Sequence, residues 1–151
     1  MLIATWNVNS IRTRLSQIID WMNQVNPDIL CLQETKVMDG SFPIEPFEKL
    51  GYSAEFYGQK SYNGVAIISK IKAKNVKKGF YGCTDFEPKI DIFQDQKRLI
   101  SAEINGIKII NVYVPNGSSL ESDKFEYKIN WLSCLASFLD EQEKKGELIC
   151  L

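Results

Sequence analysis

No histidine occurs in the 151 residues. That absence removes the usual imidazole base and the usual soft nitrogen ligand from this chain. Cysteine is sparse. Cys31, Cys83, Cys134 and Cys150 are the four, and no two form a C-x-x-C pair. Without histidine or paired cysteines, a zinc site is not expected. Cys31 and Cys150 lie inside apolar runs and Cys134 in a helical segment. The cysteines read as small buried hydrophobes of a reducing compartment. Long hydrophobic runs are also lacking. None approaches the roughly 20 residues that span a bilayer. The opening residues, Met1-Leu2-Ile3-Ala4-Thr5-Trp6, carry no basic region and no cleavage-like site, so no signal peptide is expected. These absences together predict a cytoplasmic protein with no membrane partner. There is little net charge, only −1. That balance argues against a non-specific coat on nucleic acid, although an enzyme touching a few phosphates can be near neutral.

What is present fits one globular domain. Hydrophobic residues make up 44% and charged residues 25%, and this length can bury a sizeable core. Leu2 to Val8 reads as a short buried strand. Asn9 or Ser10 can cap a helix after it. Ile11, Leu15, Ile18, Met22 and Val25 recur on one helical face, and Pro27 ends that helix. Ile29 to Leu32 reads as a second strand, so the order predicts a βαβ unit with parallel strands. A short helix from Glu45 to Leu50 stops at Gly51. Strands follow at Tyr52 to Tyr57 and Val65 to Ser69. Residues 70 to 96 read as loops with weak strands. Lys70, Lys72 and Lys74 alternate there, which gives either a DNA-facing edge or a solvated one.

The next pattern is sharper. Leu99 to Ile104 and Ile107 to Val114 are strand-like and flank Asn105-Gly106, a dipeptide that favours a type I′ hairpin turn. A helix follows from about Ser122 to Lys145, with Phe125, Ile129, Leu132, Ala136 and Leu139 as its expected apolar stripe and Gly146 as its C-cap. Leu148 to Leu151 reads as the first residues of another buried strand. The chain is therefore expected to be cut short at the start of a core strand.

Open α/β sheets place ligands at the C-terminal ends of their strands. Asn7 stands near the end of the first strand, and Gln33-Glu34 directly follows the second. Neighbouring parallel strands would bring Asn7 and Glu34 to one site. A carboxylate beside an amide suits a hard cation such as Mg²⁺, which keeps its waters and leans on few protein groups. Taken singly, Asn7 could be a turn residue and Glu34 a solvated acid. A third set follows the hairpin, where Tyr113 ends a strand and Pro115 and Gly117 frame Asn116. A core tyrosine and a turn asparagine would look the same.

The motifs together resemble a known family. Trp6-Asn7-Val8-Asn9-Ser10-Ile11-Arg12 is similar to its first signature. Pro27 through Lys36, ending Leu32-Gln33-Glu34-Thr35-Lys36, is similar to its metal-binding segment. Tyr62-Asn63-Gly64-Val65-Ala66, Lys97-Arg98-Leu99-Ile100, Asn111 to Gly117, and Lys124-Phe125 through Trp131-Leu132 follow in order. This is the exonuclease III / apurinic-apyrimidinic endonuclease family of the endonuclease/exonuclease/phosphatase superfamily, and the resemblance covers essentially the whole chain.

The resemblance implies an α/β fold, about half of a four-layer α/β/β/α sandwich, with mixed β-sheet and flanking helices. With half the sandwich present, one sheet face is expected to stay exposed. It implies a Mg²⁺-dependent DNA-repair phosphodiesterase, with Mn²⁺ as a possible substitute. That enzyme would act as a 3′→5′ exonuclease and abasic-site endonuclease on double-stranded DNA, and as a monomer when full length. Glu34 would be a direct metal ligand and Asn7 would help hold the site. Tyr113 would lie against the scissile phosphate, with Asn116 and Arg98 on phosphate oxygens. Arg12, Lys36, Tyr62 and Asn63 would touch DNA. The family's Gly-Asp-x-Asn, a later Asp and an Asp-His pair are absent from this sequence, so the 151-residue chain by itself is expected to be inactive. Two other readings remain open. One is another phosphoesterase branch, acting on phosphoinositide, sphingomyelin or nucleotide. The other is a non-catalytic fragment or binding module.

Overall fold

The computed structural model describes residues 1–81, 93, 95–144, 146 and 148–151. Its elements run β1 (Ile3–Asn7), α1 (Ile11–Val25), β2 (Ile29–Gln33), a 3-10 turn (Asp39–Ser41), α2 (Glu45–Lys49), β3 (Ser53–Tyr57), β4 (Val65–Ser69), β5 (Lys74–Lys78), β6 (Leu99–Ile104), β7 (Ile107–Val112), α3 (Asp123–Glu143) and β8 (Leu148–Cys150). Among the described residues the strands form two four-stranded sheets, ordered β1-β2-β4-β3 and β5-β6-β7-β8.

The βαβ reading holds. β1 and β2 pair in parallel, from Ile3 opposite Ile29 to Asn7 opposite Gln33. Ser10 caps α1, its Oγ accepting from the Thr13 amide at 3.4 Å, and Asn26 closes the helix in the left-handed region. β6 and β7 form the expected hairpin, with Asn105 and Gly106 both at positive φ (53° and 77°), as a type I′ turn requires.

Side-chain alternation along each strand sorts the core into three parts. Leu30, Leu32, Ala66 and Ile68 face outward and meet Ile11, Ile18 and Met22 of α1 and Phe47 of α2. Ile29, Cys31, Val65 and Ile67 of the first sheet face Ile100, Ala102, Ile104 and Ile109 of the second. Leu99 and Ile110 turn the other way, onto Trp131, Cys134, Leu135 and Phe138 of α3. The layers are therefore helix, sheet, sheet, helix, as the resemblance implied. The expected exposed sheet face is not found among the described residues. Both sheets are represented and packed face to face, and among the described residues it is the edge strands, β1 and β3 of one sheet and β5 and β8 of the other, that lack an outer neighbour.

Two local expectations are corrected. The buried stripe of α3 is Trp131, Cys134, Leu135, Phe138 and Gln142. In the expected stripe, Ala136 is exposed and Ile129 is 46% exposed. Both stripes have helical spacing, but the aromatic one buries far more apolar area. Phe80 meets Trp131 and Phe138 edge-on, with centroids at 5.3 and 5.9 Å. The lysine run is not one strand face either. Only Lys74, Lys77 and Lys78 lie in β5. Lys70 is tied to Asp28 at 3.2 Å and Lys78 to Asp39 at 2.9 Å. α3 is capped at Lys144, and Gly146 stands beyond it at φ 70°. Of the segment expected as loops and weak strands, residues 82–92 and 94, Cys83 among them, lie outside the described residues, as does Lys145. Cys31, Cys134 and Cys150 form no disulfide; the first two are buried and Cys150 is partly buried.

Candidate active site

The ends of β1 and β2 put Asn7 and Glu34 in contact. Asn7 Nδ2 donates to Glu34 Oε1 at 2.7 Å, and Lys36 Nζ sits 3.1 Å from Glu34 Oε2. Lys36 also donates to Asn9 Oδ1. The backbone here is unusual. Asn9, Ser10, Glu34, Lys36 and Asn63 all carry positive φ. Such conformations cost energy in residues with a Cβ and persist only where their surroundings enforce them. The enforcement is visible. Ser10 N donates to Glu34 O (2.8 Å), Ile11 N to Thr35 O (3.1 Å), Thr35 N to Gly64 O (3.2 Å) and Lys36 N to Asn63 O (2.9 Å). The loop also leaves no room at Gly64, where a Cβ would lie 2.2 Å from Thr35 Oγ1.

The second sheet contributes from the end of β7. Tyr113 follows that strand and shares the inward face with Ile109 and Asn111. Arg98 lies over its ring, 4.7 Å from the centroid. The Arg98 guanidinium is further held by Gln96 Oε1 (2.8 Å from Nε) and the Tyr113 carbonyl (3.3 Å from Nη1). The Tyr113 phenol interacts with the Glu34 carboxylate, so the two sheets meet at this point.

The electrostatics follow from these contacts. Partial burial pushes the Glu34 carboxyl up. The Asn7, Lys36 and Tyr113 groups that bond it outweigh that effect, so its pKa falls below the ordinary value and it is ionised at neutral pH. Burial raises the Tyr113 phenol, and the Glu34 charge adds to this against Arg98. Tyr113 is thus held protonated, as a donor.

Two hollows flank Tyr113. One, about 470 Å³, is lined by Arg98, Asn116, Lys124 and Tyr127 among others. Asn116 is exposed there, its Oδ1 accepting from Ser118 N at 3.0 Å. The other, about 450 Å³, runs between the sheets past Asn7, Gln33 and Asn111.

Asn7, Glu34 and Lys36 therefore meet at the strand ends, with Asn63 bracing Lys36 through its backbone; Tyr113 and Arg98 adjoin them from the second sheet, and Asn116 lines the hollow beside those two. Arg12 and Tyr62 stand apart from them. Arg12 donates to Ser41 O at 3.5 Å, and Tyr62 is 70% exposed. The sequence reading gave Gln33 and Asn111 no role of their own. Asn111 is 3% exposed and Gln33 contacts it across the sheets. A polar residue at an inward position of an otherwise apolar strand was the available signal.

The donor set fits one share of a hard-cation site. Glu34 is ionised, oxygen-bearing and steadied by an amide. No group of three or more His, Cys, Asp or Glu able to hold a metal occurs among the described residues. One carboxylate is within the range for Mg²⁺, which keeps waters and takes further oxygens from a phosphate substrate.

Residues 4–118 match the model of the endonuclease/exonuclease/phosphatase family. The chain is 33% identical to exodeoxyribonuclease III of Haemophilus influenzae, over 100% of this chain and 55% of that protein. Among solved structures it resembles an AP endonuclease from Archaeoglobus fulgidus, with TM-score 0.83 and 46% identity, over 93% of this chain and 52% of that one. It also resembles a 3′-5′ exonuclease from Neisseria meningitidis, with TM-score 0.85 and 38% identity, over 95% and 53%. The chain thus spans about half the length of the relatives it matches. A family match over 4–118, on a fold shared with those structures, shows that the chain belongs to the endonuclease/exonuclease/phosphatase family.

Proposed function

We propose that residues 1–151 supply one wall of the active site of a DNA-repair phosphodiesterase with exodeoxyribonuclease III-like activity, acting at abasic sites and 3′ ends of double-stranded DNA. The observation that carries this reading is the Asn7–Glu34 pair at 2.7 Å facing Tyr113 and Arg98 from the other sheet. The names of the relatives support the reaction class. No described helix is long and apolar enough to cross a membrane; that the whole protein is a cytoplasmic monomer working on DNA is part of the proposal.

Each residue has a part that its chemistry allows. Glu34 and Asn7 would hold Mg²⁺, or Mn²⁺ in its place. The bound ion would supply Lewis-acid neutralisation of phosphate charge. Arg98 and Asn116 offer donors to non-bridging phosphate oxygens from the hollow beside Tyr113. Tyr113, kept protonated, can donate to a phosphate oxygen as charge develops. Lys36 and Asn63 beside Glu34, and Arg12 and Tyr62 farther out, would meet the DNA backbone, fixing register without reading sequence. This chain has no histidine; among the described acids Glu34 lies at the strand ends and Asp123 lines the hollow with Arg98 and Asn116. The chain is expected to need further residues to activate water.

The test compares a longer protein carrying this segment with the 151-residue chain. The longer protein should cleave abasic duplex with Mg²⁺, should leave a phosphoinositide untouched, and should lose at least about a hundredfold in rate on Glu34→Gln. The pure 151-residue chain should show no cleavage. Phosphoinositide turnover without DNA cleavage would overturn the proposal, and so would full activity in Glu34→Gln.

A further inference from the structure

The polar contact between the sheets is built unlike the rest of the seam. Below it, Ile29, Cys31 and Ile67 meet Ile100, Ala102 and Ile109 through apolar contact alone. Apolar contact is non-directional, so it tolerates small slides of one sheet along the other. Asn111 does not. Its Nδ2 donates to Leu32 O at 2.9 Å and Ala66 O at 2.8 Å, carbonyls of two residues paired across β2 and β4. Its Oδ1 accepts from Gln33 Nε2 at 2.7 Å, and Gln33 Nε2 also donates to Thr5 Oγ1 at 2.9 Å. Both amide hydrogens of each side chain are therefore used. One residue of β7 is bound to β2 and β4 directly, and to β1 through Gln33.

The placement matters for the site. Asn111 grips the carbonyl of Leu32, two residues before Glu34, and stands two residues before Tyr113. Two residues of strand are about 7 Å. The lock thus sits at the same short distance below both groups, on the face that Tyr113 shares. Asn111 is buried with both amide hydrogens and its oxygen paired, and such a group resists a slip that would strand its donors.

We propose that Asn111, acting with Gln33, is a positioning residue of the reaction proposed above. It fixes the height of β7 against β2 so that Tyr113 and Glu34 face each other. Neither residue needs to touch substrate. The apolar seam supplies most of the adhesion between the sheets, and the amide pair supplies the register. The role in the reaction rests on the proposed function. The geometric part does not.

Two measurements test the two parts separately. In the 151-residue chain, with labelled tyrosine and glutamate, nuclear Overhauser effects between the Tyr113 ring and the Glu34 methylenes report the spacing. Gln33→Leu removes the donor to Asn111 Oδ1 and leaves that oxygen unpaired in the seam, which loosens the Asn111 side chain from its two carbonyls, and it alters a residue that is only partly buried, so it is the variant chosen to keep the fold. The Tyr113–Glu34 effects should fall at least about twofold, since they follow a steep power of distance. The Trp131 and Phe80 signals around α3 should stay in place. Asn111→Leu should give a larger loss where it folds. Where it does not, Gln33→Leu alone decides. In a longer protein with DNA cleavage, Gln33→Leu should lower kcat by about ten- to a hundredfold, as a displacement near 1 Å does, and leave KM within about threefold. A merely structural role would lower the unfolding midpoint and change neither reading. Unaltered Tyr113–Glu34 effects in folded Gln33→Leu would overturn the lock. Reduced effects with unchanged kcat would overturn its role in the reaction. A longer parent protein that cleaves no DNA would remove the proposed function and with it that role, while the spacing measurement would still judge the lock.

Discussion

Strands β2 and β7 change character along their length, and they change at the same level. In β2, Ile29 and Cys31 give way to Gln33 on the inter-sheet face, with Glu34 next in the chain. In β7, Ile109 gives way to Asn111 and then Tyr113. The lower part of the seam is apolar and buried, with Ile29, Ile67, Ile100 and Ile109 no more than 1% exposed. The upper part is held by directed bonds of 2.7 to 2.9 Å. One region supplies cohesion without fixing position, and the other fixes position on a smaller area. This division lets the chemistry sit at the strand ends, where groups can be aimed at a ligand, while the fold draws its stability from elsewhere.

The largest effect expected from breaking that division lies far from the rim. Trp131 is fully buried and anchors α3 against Phe80. Trp131→Ala should cost about 3 to 5 kcal/mol, read from urea unfolding. In whatever fraction stays folded, the Tyr113–Glu34 contact should be intact. Loss of that contact in folded molecules would show that the two regions are not separable.

Next in size comes a pair of glycine substitutions. Gly64 (φ 91°) and Gly106 (φ 77°) both occupy the left-handed region, so alanine is strained at either. At Gly106 nothing lies within 4 Å of an added Cβ, whereas at Gly64 the Cβ would meet Thr35 Oγ1 at 2.2 Å. Gly106→Ala should cost about 1 kcal/mol. Gly64→Ala should cost about 2 to 3 kcal/mol and disturb the Glu34 and Lys36 amide signals. Equal costs at the two sites would mean that the strand-end loops yield as readily as a hairpin turn.

The apolar part of the architecture was legible in the sequence because it rests on periodicity. Short apolar runs bounded by turn residues gave β2, β4, β6 and β7, and the 3.6-residue spacing gave α1. Asn105-Gly106 and Ser10 marked a turn and a cap through local chemistry. Where two periodic patterns overlapped, as in α3, spacing could not choose. The packing partners Phe80 and Phe93 decided it, and they lie between 34 and 58 positions away from the α3 rings they meet. Asn7 and Glu34 were legible as a pair because parallel neighbours bring their ends together. Tyr113 and Arg98 joined them only through resemblance, since contact between separate sheets leaves no local signature. The Asn111–Gln33 bridge spans 78 positions and was invisible for the same reason.

The smallest expected effect concerns the charge on Glu34. Burial raises its pKa, but the Asn7, Lys36 and Tyr113 contacts outweigh burial and hold it below the ordinary value. A carboxyl lowered in the folded state adds stability above its unfolded pKa and loses it as pH falls through the folded one. Glu34→Gln removes that contribution. Urea unfolding of the two proteins should therefore differ at pH 7, with the parent more stable. The gap should narrow below the ordinary carboxylate range, near pH 4, and close once Glu34 is protonated in both states. Asp28, at the opposite end of the sheet, is lowered chiefly by the Leu2 amide and then by Lys70. It is present in both proteins and cancels in the comparison. Added salt should shrink the gap only in part, because the Asn7 amide carries no charge to screen. A gap that stays constant from pH 7 to pH 3 would show that Glu34 contributes by shape and not by charge, and would remove the electrostatic distinction between the rim and the seam below it.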